Sequence, residues 1–125
     1  NSIKQVLPAI INASDYLKHK YSEPLRFGTN LNNTIIIEYL ENGIIKDPYK
    51  ILNPINIDCD SDELFLESGE IRDGGAAMVA YAKLQFVQMS DIERRNIVDA
   101  LLAYCEMDTL AMLLIYEHWK NKSNI

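Results

Sequence analysis

Sulfur and basic charge are what this chain has little of. Its 125 residues include two cysteines, Cys59 and Cys105. Neither sits in a Cys-x-x-Cys pair, and no histidine stands at zinc spacing from them. A disulfide framework and a zinc module are therefore not expected, and the thiol count suits a reduced cytoplasm. The 12 basic residues are outnumbered by 18 acidic ones, giving a net charge of −6. That argues against a free-standing nucleic-acid binder, which carries a basic face. It does not argue against a nuclease, because local clusters of acids are what bind catalytic metals. No apolar run approaches the roughly 20 residues of a membrane-spanning helix, so no membrane partner is expected. No signal peptide is visible, and the chain begins at Asn1 rather than methionine, so the expectation is a piece of a longer protein.

What is present is an ordinary globular balance, 48% apolar and 24% charged, enough to form a core in one domain. Three regions follow one another: 1–21 helical, 22–73 loop with a β insertion, and 74–121 helical. In the first, Ile3, Val6, Leu7, Ile10 and Ile11 recur at helical spacing. Ser2 is placed to cap them, and Pro8 is expected to kink or shorten the helix. Ser14 and Asp15 can start a second helical turn through Lys20. In the second region, Thr34–Tyr39 is rich in β-branched residues, and Asn42-Gly43 precedes Ile44-Ile45. Asn-Gly between apolar runs is a strong hairpin signal. The competing reading is a short helix that ends at Gly43. Asp47-Pro48 opens a further turn.

The third region reads as an alanine-rich amphipathic helix over 76–88, entered by a tight turn at Gly74-Gly75. A capping box follows at Ser90-Asp91-Ile92-Glu93, opening a helix from Asp91 to about Lys120 with a candidate break near Asp108. Ile97, Leu101, Tyr104, Asp108, Met112, Ile115 and Trp119 are expected along its buried face. His118 would lie in the last turn, where a cation suits the helix dipole. Met112, Tyr116 and Trp119 are expected in the core.

Tyr104 and Asp108 carry the sharpest chemistry, since residues four apart share one side of a helix. A carboxylate at an apolar position needs a donor, a cation or a metal. Either Asp108 is a metal ligand with Tyr104 orienting an attacking water, or Asp108 caps a second helix. The Asp58-x-Asp60-x-Asp62 run resembles the start of a calcium loop. It fails at loop position six, Glu63 instead of Gly, and at position twelve, Gly69 instead of Glu. A solvated acidic loop is the expectation there.

Four blocks of sequence carry a resemblance. They are Ser2-Ile3-Lys4-Gln5-Val6-Leu7-Pro8-Ala9, Asp47-Pro48-Tyr49-Lys50-Ile51-Leu52, Asp73-Gly74-Gly75-Ala76-Ala77-Met78, and the stretch from Leu102 to Met112. In this order they resemble the C-terminal part of a bacterial family known as domain-of-unknown-function 2779. Its longer members look like DEDD-type ribonuclease H-like exonucleases, in which four acids from three motifs bind two divalent ions. The third motif is Tyr-x-x-x-Asp in one subclass, and Tyr104 and Asp108 match it. The resemblance implies a mainly α chain with a small β-hairpin insertion, forming the C-terminal portion of a ribonuclease H-like α/β domain. It implies catalytic roles for Tyr104 and Asp108, Asp108 as a metal ligand, Mg2+ or Mn2+ in the parent, and DNA or RNA as substrate. The other acids would lie upstream of Ser2, so this piece by itself is expected to be inactive and to hold no cofactor. A piece parted from its sheet would also expose apolar surface and favour a homodimer.

Overall fold

The computed structural model describes residues 3–52 and 74–123. Among the described residues, four α-helices follow in order: α1 (Ile3–Ala13), α2 (Asp15–Lys20), α3 (Gly74–Phe86) and α4 (Asp91–Ser123), with a 3-10 helix at Pro48–Ile51 between α2 and α3. The chain is mainly helical, and no sheet forms among the described residues. The expected Ser2 cap and the expected acidic loop at Asp58–Asp62 lie outside the described residues. The chain divides into two compact units, one of Asn1–Ile51 with Glu106–Ile125, the other of Leu52–Cys105.

In the first unit, α1 runs unbroken with Pro8 inside it, burying Leu7 and Ile11. The expected break falls six residues later, at Ser14, whose hydroxyl accepts the Leu17 amide (3.1 Å) and caps α2. The chain then makes a loop whose base is pinched by two backbone bonds, Leu25 N–H to Thr34 (2.9 Å) and Asn33 N–H to Leu25 (2.8 Å). Leu25 and Leu31 point inward from it.

The reversal at Asn42-Gly43 is present, with Gly43 at φ +83° and the Asn42 side-chain oxygen accepting the Ile44 amide (3.0 Å). The pairing beyond it is a single antiparallel bridge, Tyr39 with Ile45, closed by Leu40 N–H to Ile44 and Lys46 N–H to Glu38. The expected hairpin is thus reduced to one bridge. The reason lies in Ile36 and Ile37, adjacent and both buried. A one-sided strand must alternate its buried residues, and this segment does not. Asn12 of α1 anchors the return, its side-chain oxygen accepting the Ile45 amide at 2.9 Å.

In the second unit, α3 starts on Gly74 itself and stops at Phe86, so the two glycines form its first turn and do not precede it. Ala80 meets Ile97 and Ala100 of α4, with Ala77, Val79, Leu84, Met89 and Leu101 around them. Small residues let the two helices approach. Half of the capping box forms as expected: Ser90 Oγ accepts the Glu93 amide (3.1 Å). The Glu93 carboxylate meets the Ser90 hydroxyl (3.5 Å) and not its amide. The Arg94 guanidinium donates to the Leu84 carbonyl near the end of α3 (2.8 Å), satisfying an orphan acceptor of that helix.

Helix α4 is 33 residues long and continuous through Asp108. Its buried positions are Ile97, Ala100, Tyr104, Met107, Ala111, Leu114 and His118, with Leu110 beside them. Those seven alternate steps of three and four residues, a seven-residue repeat. The expected face shares only Ile97 and Tyr104 with this stripe. Met112, Tyr116 and Trp119, expected in the core, are 58–61% exposed. His118, placed by sequence in the last turn, is instead a buried member of the stripe, edge-on to the Trp119 ring at 5.1 Å.

Candidate acidic site on α4

Asp108 is half-buried on α4, and the buried Tyr49 hydroxyl donates to its Oδ1. Tyr49 is held there by its own turn. The Asp47 carboxylate accepts the Tyr49 amide (3.0 Å), and the Asp47 carbonyl accepts the Lys50 amide (2.9 Å), an Asx-type opening that suits Asp-Pro. Pro48 fixes φ where the 3-10 turn begins. The Lys4 ammonium of α1 stands 5.8 Å from the centre of the Tyr49 ring, within cation–π range. Lys4, Tyr49 and Asp108 come from three of the four sequence blocks and meet at one place. With α4 unbroken at Asp108, the helix-cap reading of this residue is overturned. A phenol, not a backbone amide, satisfies the carboxylate.

Tyr104 lies one turn before Asp108 and is 8% exposed, within the buried stripe. The sequence spacing is therefore realised on the helix, but the two side chains differ in access. No cluster of three or more His, Cys, Asp or Glu side chains able to hold a metal occurs among the described residues.

Sequence reasoning missed Glu106, which accepts three backbone amides. Its Oε1 accepts the Thr29 amide (2.6 Å), and its Oε2 accepts the amides of Asn30 (2.7 Å) and Leu31 (3.1 Å). Three consecutive N–H groups thus converge on one carboxylate, an anion nest of backbone donors. Gly28 makes the approach feasible: it sits at φ +94°, and a Cβ there would lie 2.4 Å from the Glu106 Oε1. The Gly28-Thr29-Asn30 run of turn-forming residues was the available signal, but nothing local in sequence says which side chain fills its nest.

A third acid, Glu117, accepts from both the Lys20 ammonium and the Tyr21 hydroxyl. The hydrogen bond to Glu117 raises the Lys20 pKa above its ordinary value, against a smaller lowering by burial. Burial first, and the Glu117 bond second, push the Tyr21 phenol well above its usual range.

Comparison with protein-family models, with curated proteins and with solved structures finds no match to this chain.

Proposed function

We propose that this chain is the C-terminal part of a metal-dependent DEDD-type 3'-5' exonuclease domain, with Asp108 as one of its metal-ligating carboxylates. What carries the reading is a chain of contacts joining three separated sequence blocks: Lys4 stands over the Tyr49 ring, and the Tyr49 hydroxyl donates to the half-buried Asp108 carboxylate. The Tyr49 hydroxyl engages one oxygen of Asp108 and orients the group. That is the service an outer partner renders a metal ligand. Divalent Mg2+ or Mn2+, bound together with acids from outside these residues, would polarise the phosphodiester and activate water. Tyr104, one turn away on α4, would act on the attacking water once the whole site is assembled. A single carboxylate leaves magnesium mostly hydrated and weakly held, so this chain alone would not turn over DNA or RNA.

A second reading rests on a different observation. Asp108 is already satisfied by Tyr49, Tyr104 is buried, and α4 presents exposed Met112, Tyr116 and Trp119. Those features suit a non-catalytic helical interaction module.

The test is exonuclease activity of the full-length protein on single-stranded DNA and RNA with magnesium or manganese. Asp108→Asn is expected to lower kcat by at least ~100-fold, as losing a group that stabilises transition-state charge does, with the melting temperature little changed. Activity indifferent to Asp108, or none in the wild type, favours the interaction module.

A further inference from the structure

Helix α4 carries a second stripe outside its buried one. Thr109, Met112, Tyr116 and Trp119 also alternate steps of three and four residues, and all are exposed: Met112 and Tyr116 by 61%, Trp119 by 58%. None is charged. The positions flanking this stripe are sorted by sign. On one side they are Glu106, Leu113 and Lys120; on the other, Asp108, Ile115 and Lys122. Acids stand at the N-terminal end of the stripe and lysines at the C-terminal end. Isolated exposed apolar residues need no explanation, but a seven-residue repeat of them on one helix does.

We propose that this stripe is the docking surface for a second copy of the chain, α4 lying antiparallel on α4 about a two-fold axis level with Leu114. In that register Met112 faces the partner's Tyr116, and Thr109 faces the partner's Trp119, a small residue against a large one. Each pairing recurs with roles exchanged, as a two-fold interface requires. The flanks agree independently. Glu106 comes opposite the partner's Lys120, and Asp108 opposite the partner's Lys122. Parallel packing would instead set acid beside acid and lysine beside lysine, which is repulsive. Tyr and Trp are the residues that anchor interfaces when their surroundings exclude water. The Lys120 and Lys122 ammoniums already lie 5.9 and 5.8 Å from the Tyr116 and Trp119 ring centres, so they frame the stripe without burying it. The nuclease reading is not needed for this inference.

The experiment is sedimentation equilibrium of the full 125-residue chain over a concentration series, with two variants and a register check. Wild type is expected to dimerise. Tyr116→Glu, at an exposed position, is expected to be monomeric, with a melting temperature equal to that of wild type measured at concentrations low enough for it to be monomeric. Lys120→Glu with Lys122→Glu is expected to weaken the dimer roughly tenfold, a rim-charge effect that shrinks with added salt. For register, Cys59→Ser, Cys105→Ser protein carrying Met112→Cys is mixed with the same protein carrying Tyr116→Cys. Mild oxidation is expected to join the two in a mixed disulfide and to join neither to itself. A wild type that stays monomeric up to about 100 μM, a dimer indifferent to Tyr116→Glu, or preferential Met112→Cys self-linkage each overturns the proposal.

Discussion

The two compact units hold their chains by different means. In the second, α3 and the first turns of α4 pack through a cluster of apolar residues, Ala80, Ile97 and Ala100. Helical backbone satisfies itself, so packing is what remains to be arranged. In the first unit, the segment from Tyr21 to Asp47 contains one β-bridge and no helix. Its amides still need acceptors, and side chains supply several of them: Asn12 for Ile45, Glu106 for Thr29, Asn30 and Leu31. Irregular backbone beside a long helix is stabilised here by Glu106 of α4, whereas Asp108 and Glu117 on the same helix accept from side chains, Tyr49 for the first and Lys20 with Tyr21 for the second.

Removing the largest of these supports breaks the contrast most sharply. Glu106→Ala leaves three amides of the 29–31 loop without their acceptor. Charge-assisted bonds are stronger than neutral ones but not additive, so a loss of about 3 kcal/mol is expected. Gly28→Ala attacks the same contact from the other side, through its positive φ and the close Glu106 oxygen, at about 2 kcal/mol. Because both act on one contact, the double variant should be less destabilised than the two losses combined. Urea unfolding of the four proteins measures this, and strict additivity would show that the nest is not the shared cause. The corresponding polar deletion in the second unit, Arg94→Ala, should cost under about 1 kcal/mol, since that bond is exposed.

The reach of sequence differs between the units for the same reason. The Ser14 and Ser90 caps, the turn at Asp47-Pro48 and the extent of α4 are local chemistry, and they stand in the structure where the spacing places them. The buried face of α4 was misread because two apolar repeats share that helix. A face drawn through both, from Ile97 to Trp119, follows nearly the 3.6-residue period of a straight helix. The buried stripe keeps to 3.5, so the two part by one residue at most turns. Glu106 was invisible for another reason: its partners lie more than 70 residues away, and an exposed-looking glutamate in a helix carries no mark of them. Asp108 stood out because it interrupts an apolar run. Its partner Tyr49 did not, since a tyrosine after Asp-Pro reads equally well as loop.

A smaller effect is expected at Tyr49. Tyr49→Phe keeps the buried ring and the Lys4 contact but removes the donor to Asp108. The expected loss is about 1–2 kcal/mol, the cost of a half-buried carboxylate deprived of its bond. In an Asp108→Asn background the same change should cost less, because a neutral amide tolerates the lost donor better. If Tyr49→Phe costs the same in both backgrounds, the Tyr49–Asp108 bond contributes nothing specific to stability.

The smallest effect is a pH dependence at Glu117. Lys20 and Tyr21 both bind their protons more tightly in the folded chain than their ordinary values of 10.5 and 10.0. Groups with raised folded pKa values give stability that is fully present below the unfolded value and is lost as pH rises through the folded one. The stability contributed here should therefore be constant through neutral pH and fall from about pH 10 upward. Lys20 is 44% exposed, so solvent screens its share, and Tyr21, buried, should dominate. Glu117→Gln separates the causes. It replaces the carboxylate that raises Lys20 with a neutral acceptor, so the Lys20 shift should largely vanish, whereas the Tyr21 shift, owed first to burial, should shrink but persist. Tyrosinate absorbance during alkaline titration follows the second group directly. A Tyr21 that titrates with the exposed tyrosines in wild type would mean that the first unit does not bury it against α4 in solution, and that the acid it shares with Lys20 is a surface contact only.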